Sequence, residues 1–517
     1  MKKIIALLLT IVMILSVFVG CNNEPATGDK ETPAPSGSKP EGSSSQPAKD
    51  SESSSEGEGE TEANVYEELG LEDGLNYNDA EVNIMHWDSY QAEFEVTSDM
   101  LDGDPIADAV YRRNLYTEEL LGIDIVWIHN PYLGNGEAQM NEWCQKAEEI
   151  MNDPTTPIDI FACYSRVLSV ATIRGINQDL TVYENIDFTK EWWPQNIIKD
   201  YSIKDKLFIV TGDISTSMLS NMYAVFYNKT LAEQYGLGDL VQIANDKEWT
   251  VEKFIESSRN IGQDLDETSD KSAGDLFALA MDYWHIDALI QGAGFKIIES
   301  SEEDGVYMTI TEEFFSEKFG NFLDSLTEWG KTDDIFIDRA ESGRPSGIFA
   351  EGRSVFAVQS MSYGFTLQNT DIDYALLPPP MLDPEAQNYK YVTTLANSYS
   401  LYSIPRNCKD GERAVAILNT LGYYGMELCT PAVYEVTFKG KFSKDETMMD
   451  MLDLLRSSIG FDMGLLYMRA LNSINDKPTL AVCSGQNWSV AMGAIQQSAL
   501  KKRENQLNKN LDEVMNA

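Results

Sequence analysis

The sequence predicts an α/β fold of two lobes, each wound about a mostly parallel sheet. Three observations carry the prediction. From about Ala63 onward the 517-residue chain is too long for one ordinary domain of ~100–200 residues. Between Glu81 and Ser165, short apolar strands alternate with helices in the order βαβαβ, the signature of a parallel, doubly wound sheet. A second strand–helix alternation begins near Ala224, after a polar stretch.

The elements follow in order. "EVNIMHW" (81–87) reads as a short strand. In "DPIADAVYRRNLYTEELLG", Asp104 is placed to cap a helix, Pro105 takes its first position and Gly122 stands just past its end. "IDIVWIH" (123–129) is a nearly continuous apolar run, as expected of a strand covered on both faces. An amphipathic stretch over 141–151 precedes the strand "PIDIFACYS". Ligands of such sheets bind at the carboxyl ends of the strands, which here carry Trp87-Asp88, His129-Asn130 and Tyr164-Ser165. The second unit opens with the strand "AVFYN" and a helix ending near Gly236. Helix "EWTVEKFIESSRNIG" follows, with Thr250 as its cap, and helical segments over 314–329 continue the unit. "GIFAEGRSVFAVQS", "IDYALLPPP" and "SYSLYSIP" read as strands. Helices "GERAVAILNTLGYYG" and "ETMMDMLDLLRSSIGF" lead toward the C-terminus, the first with apolar residues at a helical 0, 3/4, 7 spacing.

The chain begins Met1-Lys2-Lys3 and then runs apolar from Ile4 to Val19, the layout of a secretion signal over residues 1–20. The run falls short of the roughly 20 residues a membrane-spanning helix needs. Val19-Gly20-Cys21 resembles the lipobox of bacterial lipoproteins, with Phe18 where those prefer Leu. The resemblance implies cleavage before Cys21 and lipid on its sulfur; the alternative is an ordinary signal with an incidental cysteine. From Asn22 to Thr61 there is no Val, Ile, Leu, Met or aromatic residue. Such a segment cannot offset its ordering entropy by burial. Residues 21–63 therefore read as a disordered leash, with a reach on the order of 35 Å.

Formal net charge is −44, from 83 acidic and 39 basic side chains. Neutralising phosphates needs Lys and Arg, so nucleic acid is excluded as a partner. An acidic body is also repelled by anionic lipid, which makes a lipid on Cys21 the means of staying at the membrane's extracellular face. Five further cysteines, Cys144, Cys163, Cys408, Cys429 and Cys483, form no C-x-x-C pair; they imply neither a disulfide framework nor a zinc knuckle, and one disulfide among them stays open. Cys163 and Cys429 sit in apolar contexts and read as buried thiols. His86, His129 and His285 are far apart with no metal-ligand spacing. "DLDETSD" (264–270) resembles a calcium loop, but Ser269 stands where the turn wants Gly, so a solvated acidic loop is the simpler reading. Phosphate-cradling glycine loops are absent, and no cofactor is called for.

Several segments together resemble the extracellular solute-binding proteins, family one, of ABC importers, the maltose-binding-protein type. They are "DIFACYSRVLSVATIRGINQDLTVYENI", "KDKLFIVTGDIS" (with Asp205 and Thr211 for that family's Gly and Pro), "AVFYNKTLAEQYGL", "EWTVEKF", "IFAEGRSVFAV" and "YSIP" before an Ala-rich helix. The resemblance implies two α/β lobes of the periplasmic-binding-protein type II kind, joined by hinge strands. Lobe one would comprise 64–224 with 358–407, and lobe two 225–357 with 408–517. The chain would cross near 224–228, 354–359 and 407–410. It further implies a monomer without enzymatic activity that closes on a solute and delivers it to membrane permease subunits, closure being favoured because ligand touches both lobes only when shut.

The sequence carries 9 Trp and 24 Tyr. Aromatic faces with a few carboxylates, amides and hydroxyls suit sugar rings, so a mono- or oligosaccharide is the expected ligand. The candidate ligand residues are Trp87, Asp88, Tyr164 and Ser165 at strand ends, and Asp213, Ser217 and Asn221 before the first crossing. Tyr283 and Trp284 precede "LIQGAG"; Ser360, Met361 and Tyr363 follow the return crossing; Ser398 and Tyr399 lie in the last strand region. A large aromatic is also common in a core, the reading given to Trp192, Trp193 and Trp488. An extracellular glycan-active enzyme, with two carboxylates across a cleft, and a surface adhesin remain alternatives. Within transport, a peptide or polyamine does.

Overall fold

The computed structural model describes residues 64–88, 103–131, 134, 136–268, 271–340, 344–438, 446–495 and 497–516. The expected signal over 1–20, Cys21 and the leash to residue 63 lie outside the described residues. The chain divides into Met1–Thr61 and Glu62–Ala517, and the architecture below is that of the second unit.

The first sheet forms where the sequence predicts it. Strand β1 (Ala80–Asp88) leads to helix α1 (Pro105–Leu121), β2 (Ile123–Pro131), α2 (Glu137–Met151), β3 (Ile160–Tyr164) and α3 (Ser165–Ile173). Asp104 Oδ1 accepts from the amides of Ile106 and Ala107, both at 2.9 Å, and caps α1, a contact worth about 1 kcal/mol. Gly122 ends α1 at φ +60°, and a Cβ there would lie 2.4 Å from Asn76 Nδ2. β1 pairs in parallel with β2 on one side and β3 on the other, so the winding reverses beside β1. Val82, Ile84, Phe161, Ala162 and Cys163 are fully buried, consistent with helices on both faces.

The second sheet takes β4 (Tyr223–Asn228) and β5 (Phe277–Asp282). After β5 come α4 (Ile286–Gly292), the hairpin β6 (Ile298–Ser300) and β7 (Met308–Ile310), α5 (Glu317–Lys331) and β8 (Ile335–Asp338). β9 (Ser354–Ser360) and β10 (Tyr374–Leu377) complete it, in the order β10-β4-β9-β5-β8. β5, β8 and β9 are parallel; β4 runs against both β9 and β10. The segment "GIFA", expected within a strand, is instead the end of a helix, Arg344–Ala350. Gly352 turns the chain at φ +74°, and the strand starts at Ser354.

β11 (Ser400–Ser403) returns to the first sheet, antiparallel to β3. Helices α6 (Gly411–Tyr424), α7 (Glu446–Ser457), α8 (Met463–Leu466), α9 (Asp476–Cys483) and α10 (Gln497–Met515) follow. This routing differs from the expected lobe boundaries. β10 lies within 358–407 yet pairs with β4, Tyr374 opposite Asn228, so that stretch does not belong wholly to lobe one. α6 lies within 408–517 yet packs on α1, because β11 has already brought the chain back to the first sheet. The third crossing therefore falls near 394–397 rather than 407–410. There Tyr223 N donates to Thr394 O at 3.0 Å and Ala396 N to Asn221 O at 2.8 Å, while Met361 N donates to Met222 O at 2.8 Å. Three passages of chain thus run side by side between the sheets. Among the described residues no helix is long and apolar enough to cross a membrane, and Cys144, Cys163, Cys408, Cys429 and Cys483 are free thiols, with Cys163 and Cys429 fully buried as expected.

Candidate ligand-binding site

The reversal of winding beside β1 opens a crevice at the carboxyl ends of β1 and β3. Trp87 closes β1 and Tyr164 closes β3, and their rings stack at 5.1 Å and 23°. Trp87 Nε1 donates to Ser400 Oγ at 3.2 Å, and Tyr164 OH to Asn397 Oδ1 at 3.1 Å. Ser165 Oγ donates to Asn397 O at 2.7 Å. These strand ends are tied to the crossing segment, not left as free loops.

Next to Ser165 lies a narrow recess of about 20 Å³, roughly the room for one water. Ser165, Tyr201, Asn397, Tyr399, Phe461 and Asp462 are among its lining residues. Tyr201 and Tyr399 share a short hydroxyl–hydroxyl hydrogen bond, and burial raises both phenols above their ordinary range. Phe461 packs edge-on against Tyr201 at 4.6 Å. Asp462 Oδ1 accepts from Gly464 N at 2.6 Å and caps α8, while Oδ2 is buried without a partner. Burial pushes the Asp462 carboxyl up to about 6. Asp287, held by Thr479 at 2.8 Å, is pushed up to about 7, mainly by burial. His285 is driven down to about 3 by burial alone and meets Tyr223 edge-on at 5.4 Å. Lys296 and Asp200 form an ion pair of 2.5 Å, and Asp200 also accepts from Phe461 N at 3.0 Å. That clasp joins the chain beyond α4 to the segment before Tyr201.

Of the residues singled out from the sequence, Ser165 and Tyr399 line the recess, while Trp87 and Tyr164 are buried and stacked on each other, Tyr164 being tied to the lining residue Asn397. Ser217 accepts from Ser400 N at 3.0 Å, Asn221 Nδ2 donates to Ser398 O at 2.9 Å, and Ser398 Oγ donates to Asn397 Oδ1 at 3.2 Å, so these three brace the crossing. Tyr283 and Trp284 are half-buried at the end of β5, their rings edge-on at 5.3 Å. Met361 is fully buried at a crossing, and Ser360 Oγ lies 2.8 Å from Ser362 Oγ. Tyr363 points into the second lobe's core, against Phe226 and Phe349, and donates to Ser346 O at 2.5 Å. Asp213 is engaged elsewhere, in a buried two-oxygen pair with Arg456 of α7. The side chain of Asp88 lies outside the described residues.

Tyr201, Asn397, Phe461 and Asp462 escaped the sequence reading. "GFDMG" carries only a helix-cap signal at Asp462, and nothing local says that its other oxygen faces a recess. The histidines also need correcting: distant in sequence, His86 and His129 are partners across β1 and β2, with rings 4.4 Å apart. Asp264, Asp266 and Asp275 gather carboxylates within 4.8 Å, with Asp266 and Asp275 accepting from Thr268, Ser272 and Leu265 of their own loop.

Residues 137–422, more than half of the chain, match the family model described as bacterial extracellular solute-binding protein. No curated protein matches the sequence. Among solved structures, the chain is similar to the galacto-N-biose-/lacto-N-biose I-binding protein of the ABC transporter from Bifidobacterium longum, in complex with lacto-N-biose. That likeness has 11% identity and a TM-score of 0.53, over 84% of this chain and 98% of that one. A cyclo/maltodextrin-binding protein complexed with maltotetraose is similar at 12% identity and a TM-score of 0.51, over 83% of this chain and 96% of that one. At such identities the likeness shows the fold, two α/β lobes of the periplasmic-binding-protein type II kind.

Proposed function

We propose, from the premise that this chain belongs to the bacterial extracellular solute-binding proteins, that it captures a carbohydrate between its lobes. Hinge closure then presents the solute to the permease subunits of an ABC importer, with no chemistry done on it. The observation that carries the carbohydrate reading is the recess at the winding reversal. Tyr201, Tyr399 and Phe461 line it, and Ser165, Asn397 and Asp462 supply polar atoms. Apolar faces with few, fixed polar groups match the two-sided surface of a sugar ring. The two structural relatives named above were solved with oligosaccharides, which agrees with that reading. Three side-by-side crossings supply the hinge, and the Asp200–Lys296 pair would part on opening.

The carboxylates of Asp462 and Asp287 favour a second reading, a cationic ligand such as a polyamine or a basic peptide. A thermal-shift panel of sugars, spermidine and short basic peptides separates the two. At a hundredfold excess over Kd, bound ligand adds about 2.7 kcal/mol. For a body of ~450 residues, with an unfolding entropy of about 1 kcal/mol per kelvin, that raises the melting point by about 3 °C. A shift with spermidine and none with sugars would reverse the order. Product formed from any glycan would remove the binding-protein reading altogether. The N-terminal sequence further supports a lipid on Cys21, a signal over 1–20 and a leash over 21–63 that hold the body at the extracellular face of the membrane. Cys21→Ser should release it into the medium.

A further inference from the structure

The C-terminal helix α10 touches both lobes. It follows α9, which packs on α5 of the second lobe. One face of α10 carries Glu504, Asn508 and Asp512, spaced four apart and so in a row along the helix. That row completes the edge of β7 away from β6. Asn508 Oδ1 accepts from Tyr307 N at 2.6 Å and from Met308 N at 2.9 Å, and Asn508 Nδ2 donates to Met308 O at 2.8 Å. Glu504 Oε1 accepts from Ile310 N at 3.1 Å, and Tyr307 OH donates to Asp512 Oδ1 at 2.7 Å. Backbone groups on a strand edge need partners, and here the side chains of a helix stand in for a strand. The hairpin β6–β7 belongs to the second lobe: Phe295, just before it, packs on Phe319 and Phe322 of α5 at 4.9 Å and 5.0 Å. Roughly a quarter turn round α10 lie Leu507, Leu511 and Val514. The helix packs on α3 of the first lobe, and a Cβ built on Gly175, just past α3, would lie 3.5 Å from Val514 Cγ2.

From the first lobe, the loop over 203–206 reaches the same two elements. It leads to Val210, which bridges to Tyr402 of β11 in the first sheet. Lys204 N donates to Ser300 Oγ at 3.1 Å, and Lys204 Nζ donates to Glu303 O at 2.7 Å while lying 5.5 Å from the centre of the Tyr307 ring. Lys206 Nζ donates to Met515 O at 3.1 Å, at the C-terminal end of α10, where the helix dipole favours a cation. With the Lys296–Asp200 pair, three lysines make contacts across the seam between the lobes. Each contact needs the lobes together, so each favours the shut form in the way a ligand touching both lobes does. We propose that α10, hooked to the β6–β7 hairpin, is a strap that holds the lobes shut through α3 and the lysine loop, and that its hold weakens as salt rises. On opening, α10 stays with the hairpin, to which its polar row ties it, and leaves α3. This rests on the hinge-closure reading above.

Such a bias sets how much of the protein is shut before a solute arrives, and so tunes apparent affinity. The test reads the distance between lobes by pulsed electron paramagnetic resonance on the full chain. Nitroxides are placed on Glu149→Cys of α2 and Glu328→Cys of α5, two exposed helix positions. Cys21, Cys408 and Cys483 are replaced by Ser, while Cys144, Cys163 and Cys429 are fully buried and stay. At low salt the parent should show one predominant, short distance. Lys204→Met combined with Lys206→Met should raise the population at a longer distance about tenfold, the loss of two charge-assisted bonds at a half-exposed seam. The parent in 1 M NaCl, where the Debye length is about 3 Å, should shift the same way with no further substitution. Asn508→Ala combined with Asp512→Ala, which unhooks α10 from the hairpin, should do likewise. Lys253→Met, which breaks an exposed pair with Glu256 inside one helix, should not. If the lysine double variant and the salt arm both keep the parent's distances while Lys296→Met lengthens them, the lobes part without α10; the strap is overturned and hinge closure stands. If no condition yields a second distance, the lobes do not part, and both the strap and hinge closure fall. If the double variants do not fold, the salt arm alone decides: a longer distance supports the strap and an unchanged one overturns it.

Discussion

Replacing Asp213 by Ala tests whether this carboxylate, a candidate ligand group by sequence, belongs to the architecture. In the structure it is 1% exposed and held by Arg456 through Nε at 3.0 Å and through a short second bond from Nη2. The pair ties α7 to the loop before β4. Burial raises the Asp213 carboxyl and Arg456 offsets part of that rise. Removing one member of a buried pair costs about 3–5 kcal/mol, because the other is left charged and enclosed. Arg456 keeps a 25%-exposed side chain and a bond to Glu191 O at 3.1 Å, so Asp213→Ala should fall at the lower end, about 3 kcal/mol. Arg456→Met strands the fully enclosed partner and should fall at the upper end, about 5 kcal/mol. With about 1 kcal/mol per kelvin of unfolding entropy, the melting points should drop by about 3 °C and about 5 °C. The double variant should cost less than the sum of the two, a coupling of about 1–3 kcal/mol. Differential scanning calorimetry reads the losses and a ligand titration reads affinity, which should stay unchanged. A stable Asp213→Ala variant that no longer binds would refute the argument.

Three further outcomes follow from named contacts. Asp287 and Asp462 have folded-state pKa values of about 7 and about 6, above the ~3.9 of an unfolded Asp, so the stability they contribute is full below pH 4 and is lost as pH rises through 6–7. Asp287 keeps partial exposure by area, so its share is the smaller fraction of the ~1.4 kcal/mol per pH unit a fully shifted group gives; urea midpoints at pH 5 and pH 8 should differ less in Asp287→Asn than in the parent. Gly425→Ala places a Cβ 2.2 Å from Asp213 O, an overlap with backbone that cannot yield; a loss of roughly 1–3 kcal/mol is expected by calorimetry. Burial pushes the thiol of Cys144 up to about 12 and raises that of Cys163 well above its ordinary range, so a thiol reagent at pH 8 should label neither in the native protein and both in denaturant.

The sequence by itself determined the local units and the family. The cap at Asp104, the stop at Gly122 and the cap at Thr250 are written in a few neighbouring residues and form as read. The βαβαβ order is likewise a matter of local periodicity, and it placed Trp87, Tyr164 and Ser165 at strand ends beside the winding reversal. Only the tertiary structure decided where the long connections land. β11 pairs with β3 across more than two hundred residues, and β10 pairs with β4 rather than staying with the first sheet. Those choices moved the third crossing to 394–397 and carried α6 back onto α1. They also brought Asp462 from beyond α7 to the same recess as Ser165, and sent Asp213 to Arg456 instead. The physical reason is that caps and periodicity act over one or two turns, whereas pairing and burial between distant segments depend on which surfaces the whole chain leaves uncovered.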